Sequence, residues 1–164
     1  MRTVYFIRHA KSSWDDISLS DHDRPLNQRG KNDARKMGEY FLENGHNIEI
    51  MVSSSAKRAK STAKKINEVI KSENMIIEPR LYLASAREIM QAVRNIHNEV
   101  NSAALVAHNP GMTDLANMFS DDRIYNVPTT GVFKIDFEIE DWGMAEISSG
   151  VLDFFIYPKM LDDV

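Results

Sequence analysis

The chain opens on Thr3-Val4-Tyr5-Phe6-Ile7-Arg8-His9, in which an apolar, β-branched and aromatic run ends abruptly on two polar residues. Such a run reads as a buried strand. The polar segment from Ala10 to Asn27 follows as a loop, long for a compact domain, and loops of this length tend to be functional. Beyond it, Ala34, Met37, Phe41 and Leu42 recur at helical spacing, and Asn44-Gly45 supplies a left-handed stop, so a helix is expected over 28–44. The same alternation continues. Ile48 to Ser53 reads as a strand, Ala59, Ala63, Ile66 and Ile70 as the apolar stripe of a second helix, and Met75 to Glu78 as a short strand before Pro79.

Ser85-Ala86-Arg87-Glu88 has the form of a capping box, opening a third helix with Ile89, Ala92, Val93 and Ile96 inward. Ala103 to Ala107 is continuously apolar, as in strands covered on both faces. After His108, Asn109-Pro110-Gly111 signals a helix start, with Asn109 as cap and Pro110 at the first helical position. Val132 to Phe137 and Val151 to Tyr157 read as two further strands, expected at a sheet edge. Strands alternating with helices predict a three-layer α/β/α domain over residues 1–164, with a mostly parallel sheet and antiparallel C-terminal edge strands.

Composition narrows the chemistry. The 164 residues are 43% apolar, enough for one core, and carry a net charge of −4. An acidic chain of this kind argues against nucleic acid as partner, since such proteins present broad basic surfaces. There is no cysteine, which removes thiolate nucleophiles, disulfides and cysteine-ligated metals. No apolar run approaches membrane-spanning length and none resembles a signal peptide, so a cytoplasmic protein without a membrane partner is expected. Oligomeric state is not legible.

In a parallel α/β sheet, ligands bind beyond the carboxyl ends of the strands. Arg8 and His9 end the first strand, Arg58 falls in the first turn after the second, and His108 ends the strand at Ala107. Two guanidiniums, two imidazoles and two helix starts make an anion site suited to a phosphoryl group. A neutral imidazole is also a competent nucleophile near pH 7. Taken singly, Arg8 reads as a solvated charge and His9 as a core histidine, and the spacing does not say which histidine attacks.

The sequence resembles the histidine phosphatase superfamily, and within it the small SixA-type phosphohistidine phosphatases. The resemblance rests on Phe6-Ile7-Arg8-His9-Ala10-Lys11-Ser12-Ser13-Trp14, on Asp21-His22-Asp23-Arg24-Pro25-Leu26 with Arg29-Gly30, on Ser53-Ser54-Ser55-Ala56-Lys57-Arg58-Ala59 with Thr62-Ala63, and on His108-Asn109-Pro110-Gly111. It implies that His9 is the nucleophile and is transiently phosphorylated, that Arg8 and Arg58 hold the phosphoryl oxygens, and that His108 completes the pocket. It also implies a phosphatase needing no metal or organic cofactor. Its substrate would be phosphorylated, such as a histidine-phosphorylated protein or an activated small phosphoester.

Three departures bear on this. Ala10 replaces the usual glycine after Arg-His, so a positive φ is not expected there. Ser55 stands where a proline is common and is expected to cap the second helix instead. The glutamate that serves as acid in relatives acting on alkyl phosphates has no counterpart in Pro79-Arg80-Leu81-Tyr82-Leu83. Asp21 is the best substitute for the acid, with Asp15, Asp16 and Asp23 as competitors on the same loop. Trp14 is equally readable as a pocket wall or a loop anchor, and His22 as flanking the pocket or, in preference, as exposed, while His46 and His97 read as surface residues and Trp142 as packed or edge-exposed. A phosphoglycerate mutase-like transferase and a non-catalytic phospho-ligand module remain the alternatives.

Overall fold

The computed structural model describes residues 1–162. Its elements follow the anticipated alternation: β1 (Arg2–Arg8), α1 (Gln28–Glu43), β2 (Ile50–Ser53), α2 (Lys57–Ile70), β3 (Asn74–Ile77), α3 (Ala86–Arg94), β4 (Ser102–Ala107), α4 (Gly111–Phe119), β5 (Val132–Phe137), β6 (Gly150–Ile156) and α5 (Pro158–Asp162). One 6-stranded sheet has the order β3-β2-β4-β1-β5-β6. β3, β2, β4 and β1 pair in parallel, while β5 runs antiparallel to both β1 and β6. β6 is an edge, as expected, but β5 is interior. Its burial follows from having a partner on each side.

Side-chain alternation along β1 divides the core. Val4 and Phe6 face one cluster with Ile89, Val93, Met112 and Leu115 from α3 and α4, whereas Tyr5 and Ile7 face another with Ala34, Met37, Phe41, Ala59 and Ile66 from α1 and α2. Helices therefore cover both faces. α1 leaves β1 on one face and α4 leaves β4 on the other, so a crevice opens between the carboxyl ends of these two adjacent strands.

Several local expectations shift. Leu42 is 61% exposed, because the inward stripe of α1 stops at Phe41. Gly45, with φ of 69°, supplies the left-handed turn. β2 begins at Ile50. α4 starts at Gly111, with Pro110 in the cap position after a cis Asn109-Pro110 bond. Asn109 still receives a hydrogen bond from the Thr113 amide at 3.1 Å. His46 is no free surface residue: its Nδ1 lies 3.0 Å from the Tyr5 hydroxyl, among Tyr40, Phe41 and Phe154. Trp142 is fully buried, donating from Nε1 to the Val100 carbonyl at 2.7 Å.

The loop after β1 is closed at its base. Ser12 bridges Leu26, and the Asn27 amide donates to the Lys11 carbonyl at 3.0 Å. Gly30 makes this closure possible: a Cβ there would lie 2.1 Å from the Lys11 oxygen. Among the described residues, no helix is long and apolar enough to cross a membrane.

Candidate active site

The register of β1 on β4 sets Arg8 opposite Ala107, so the next residues, His9 and His108, emerge side by side. Their rings lie 5.1 Å apart, centroid to centroid. Arg58, on the first turn of α2, reaches between them, with Nε 3.4 Å from His9 Nε2 and Nη2 3.4 Å from His108 Nδ1. Arg8 Nη1 donates to the Val127 carbonyl at 3.0 Å, while its buried Nε has no hydrogen-bond partner among the described residues. Burial, then the neighbouring Arg58, lowers the pKa of Arg8. Two cations this close in a desolvated pocket attract an anion, and the orphaned Nε is a donor to offer it.

Both imidazoles are neutral at pH 7. Desolvation lowers His9 to about 4, against the bond to Ala10 and with help from Arg58, Arg8 and Arg24. Desolvation, followed by His9 and Arg58, lowers His108 to about 3. His9 Nδ1 lies 2.7 Å from the Ala10 carbonyl. A carbonyl only accepts, so Nδ1 carries the proton and the Nε2 lone pair faces the pocket. His9 Nε2 meets Arg58 Nε at 3.4 Å. In His108 the nitrogens are exchanged: Nε2 is engaged by Ser54 Oγ at 2.7 Å and Nδ1 faces Arg58 Nη2 at 3.4 Å.

Thr62 locks the spacing of this group. Its hydroxyl accepts from the Ala10 amide at 2.8 Å and donates to the Arg58 carbonyl at 2.7 Å, tying the end of β1 to α2. Ala10 is fully buried and is not among the residues with positive φ, so the usual glycine's freedom is unused. Thr130, at φ 61°, donates its amide to the Arg8 and His9 carbonyls at 3.0 and 3.2 Å, closing the opposite wall.

A family model, "Histidine phosphatase superfamily (branch 1)", matches residues 4–89, more than half of the chain. The chain belongs to the histidine phosphatase superfamily. An uncharacterised chloroplastic protein of Arabidopsis thaliana is 32% identical over 129 residues, 73% of this chain and 59% of the relative, so the chain spans about three fifths of that protein. An uncharacterised protein of Mycobacterium leprae is 28% identical over 93% of this chain and 100% of its own length. Among solved structures, the protein histidine phosphatase SixA complexed with tungstate superposes with a TM-score of 0.81 at 20% identity, covering 97% of this chain and 99% of SixA.

This histidine phosphatase has a rim unlike its floor. Asp21, in a 3-10 turn of the long loop, receives the Tyr82 hydroxyl at 2.5 Å and Arg58 Nη2 at 3.0 Å on Oδ2, and Arg24 Nη1 at 3.2 Å on Oδ1. Its main-chain carbonyl accepts from Arg58 Nη1 at 2.6 Å. The Tyr82 hydrogen bond, with Arg58 and Arg24, outweighs desolvation and holds Asp21 at about 2. Asp21 is therefore a carboxylate in the ligand-free site at neutral pH, and its expected service as an acid is a question for experiment. Of the competitors, Asp16 bonds Ser18 and Asp23 faces Ser20 and His22, neither of them touching the arginines.

The sequence did not flag Tyr82, Arg24 or Ser54 as parts of the pocket. Tyr82 was discounted for lacking a carboxylate, yet its ring stands edge-on to His108 and His22 at 5.5 and 4.8 Å. Arg24 is buried, bonding Ser12 Oγ and the Ser13 carbonyl, and lies under Trp14 with its guanidinium 3.3 Å from the ring centroid. Trp14 is thus a loop anchor, 67% exposed. His22, expected on the surface, flanks the pocket with Nε2 2.9 Å from Ser55 Oγ. Ser55 is consequently not the cap of α2; Ala56 holds that position, and its amide donates to Ser54 Oγ at 3.2 Å. His97 is exposed, as expected. Among the described residues, no group of three His, Asp or Glu could hold a metal ion.

Proposed function

We propose that this phosphatase works through a phosphohistidine intermediate on His9 and acts on phosphohistidine or an activated small phosphoester. The observation that carries the reading is the His9 Nε2 lone pair, set by the Nδ1 bond to Ala10 and held beside Arg58 in a pocket whose positive charge Arg8 shares. The two guanidiniums take the phosphoryl oxygens, supplying the positive charge that a metal supplies elsewhere, while neutral His108 completes the pocket against Arg58. Nε2 forms the N–P bond as the bond from phosphorus to the leaving atom breaks, its electron pair going with that atom. Water then attacks phosphorus, the N–P pair returns to Nε2, and the water's proton passes to solvent. Because Nδ1 already holds its proton against Ala10, His9 enters the cycle in the reactive tautomer.

The test is hydrolysis of p-nitrophenyl phosphate and a phosphohistidine peptide in chelator, with wild type, His9→Ala and Arg58→Ala. His9→Ala is expected to abolish turnover and the acid-labile, base-stable label left by ³²P-substrate quenched in mid-reaction; Arg58→Ala is expected to lose about 10²–10³-fold. If wild type hydrolyses neither substrate yet binds inorganic phosphate, the chain is a phosphate-binding module instead.

A further inference from the structure

We propose that Asp21 acts as a fixed carboxylate that selects substrates whose leaving nitrogen carries its own positive charge, and not as a proton donor. The inference rests on the phosphatase reading above. His9 Nε2 lies on the pocket floor, and an in-line displacement puts the leaving atom on the far side of phosphorus, toward the mouth. Asp21 stands there. Its carboxylate is one guanidinium away from His9, since Arg58 touches His9 Nε2 with Nε and Asp21 Oδ2 with Nη2. It is also 46% exposed, open to whatever projects from the pocket.

The groups around the carboxylate fix its charge. Arg58 approaches from α2, Arg24 from its own loop and Tyr82 from the turn before α3, while His22 stands beyond Tyr82's ring. All three direct contacts are donors, and each favours the anion. A phosphoryl group arriving at Arg58 competes for that guanidinium and frees part of the carboxylate's charge for the leaving group.

An alkoxide leaving group needs a proton that Asp21 does not hold. A phosphoryl group on a protonated imidazole or a guanidinium needs none: the P–N bond breaks, its pair goes to the cationic nitrogen, and the group departs neutral. The carboxylate binds that cation and keeps it protonated until the bond breaks.

The experiment compares kcat/KM for phosphoarginine and phosphohistidine with that for p-nitrophenyl phosphate, whose leaving group is neutral before cleavage and needs no acid. In Asp21→Asn the ratio of phosphoramidate to aryl ester is expected to fall about tenfold, the size of a half-exposed ion pair near 4 Å. In Tyr82→Phe, which removes the strongest contact holding the carboxylate ionised, the acidic limb of that ratio is expected to move to higher pH. A loss concentrated on an alkyl phosphate would establish Asp21 as the general acid and overturn the proposal. So would an equal loss on all substrates, or an active wild type that cleaves only esters. Wild type inactive on every substrate overturns the phosphatase reading itself, and the proposal with it.

Discussion

The floor of the site, where Arg8, His9, Arg58 and His108 meet, is built from the ends of two central strands and the start of one helix, whereas its rim of Asp21, His22, Arg24 and Tyr82 is built from loops. On the floor, position follows from the sheet: β1 and β4 are hydrogen-bonded neighbours, and their side chains cannot shift without moving the core. On the rim, position follows from side-chain bonds alone, centred on Asp21. The floor is desolvated and cationic, so its histidines are held neutral. The rim is half-exposed and its key group is held charged. The proposed mechanism assigns phosphoryl chemistry to the rigid part and the choice of what leaves to the adjustable part.

Removing a floor residue is the strongest way to break this division. His108→Ala is expected to cost about 10²–10³-fold in kcat/KM, typical for loss of one group stabilising the transition state, with the loss similar for phosphoramidate and ester. A loss confined to one substrate class would show that the floor also reads the leaving group.

Acid sharpens the contrast next. Because folding lowers His9 from its ordinary 6.5 to about 4, the unfolded chain binds the proton first, and stability falls as pH drops from 6.5 toward 4. The shift corresponds to a loss on the order of 3 kcal/mol from His9, with His108 acting in the same direction. Denaturant titrations at pH 7 and 5 measure it. The Asp21 carboxylate, at about 2, contributes stability that persists through this window and fades only below its unfolded pKa near 4. Activity is expected to hold until His9 takes its proton near pH 4. A limb near 6.5 would mean that His9 is not desolvated in solution.

The smallest effect lies on the rim. Trp14→Ala removes the exposed ring lying against Arg24 and is expected to destabilise by about 0.5–1 kcal/mol in thermal unfolding, with less than a threefold change in kcat/KM on an aryl phosphate. A larger change in activity than in stability would give Trp14 a direct part in holding substrate.

The four floor residues were legible because each sits at an element boundary that hydrophobic periodicity marks: apolar runs end at Ile7 and Ala107, and a helical stripe begins near Ala59. The rim was not legible in that way. Asp21 stood out only as one carboxylate among several in a polar loop, and no periodicity says which of them turns inward. Tyr82, 61 positions away in sequence, could be linked to it only by the packing of the turn before α3 across the mouth. His46 was misread for a related reason, its partner lying on a strand distant in sequence.

By itself, the sequence determined the layered α/β architecture and the strand-end residues, because alternation of apolar and polar side chains is a local record of which face each element buries. The strand order was a tertiary decision: β4, fourth along the chain, inserts between β2 and β1, and only that insertion brings His108 to 5.1 Å from His9. The state of Asp21 was equally tertiary. A carboxylate's charge depends on the donors that surround it, and Tyr82, Arg58 and Arg24 come together only when a loop, a helix and a turn close over the same pocket.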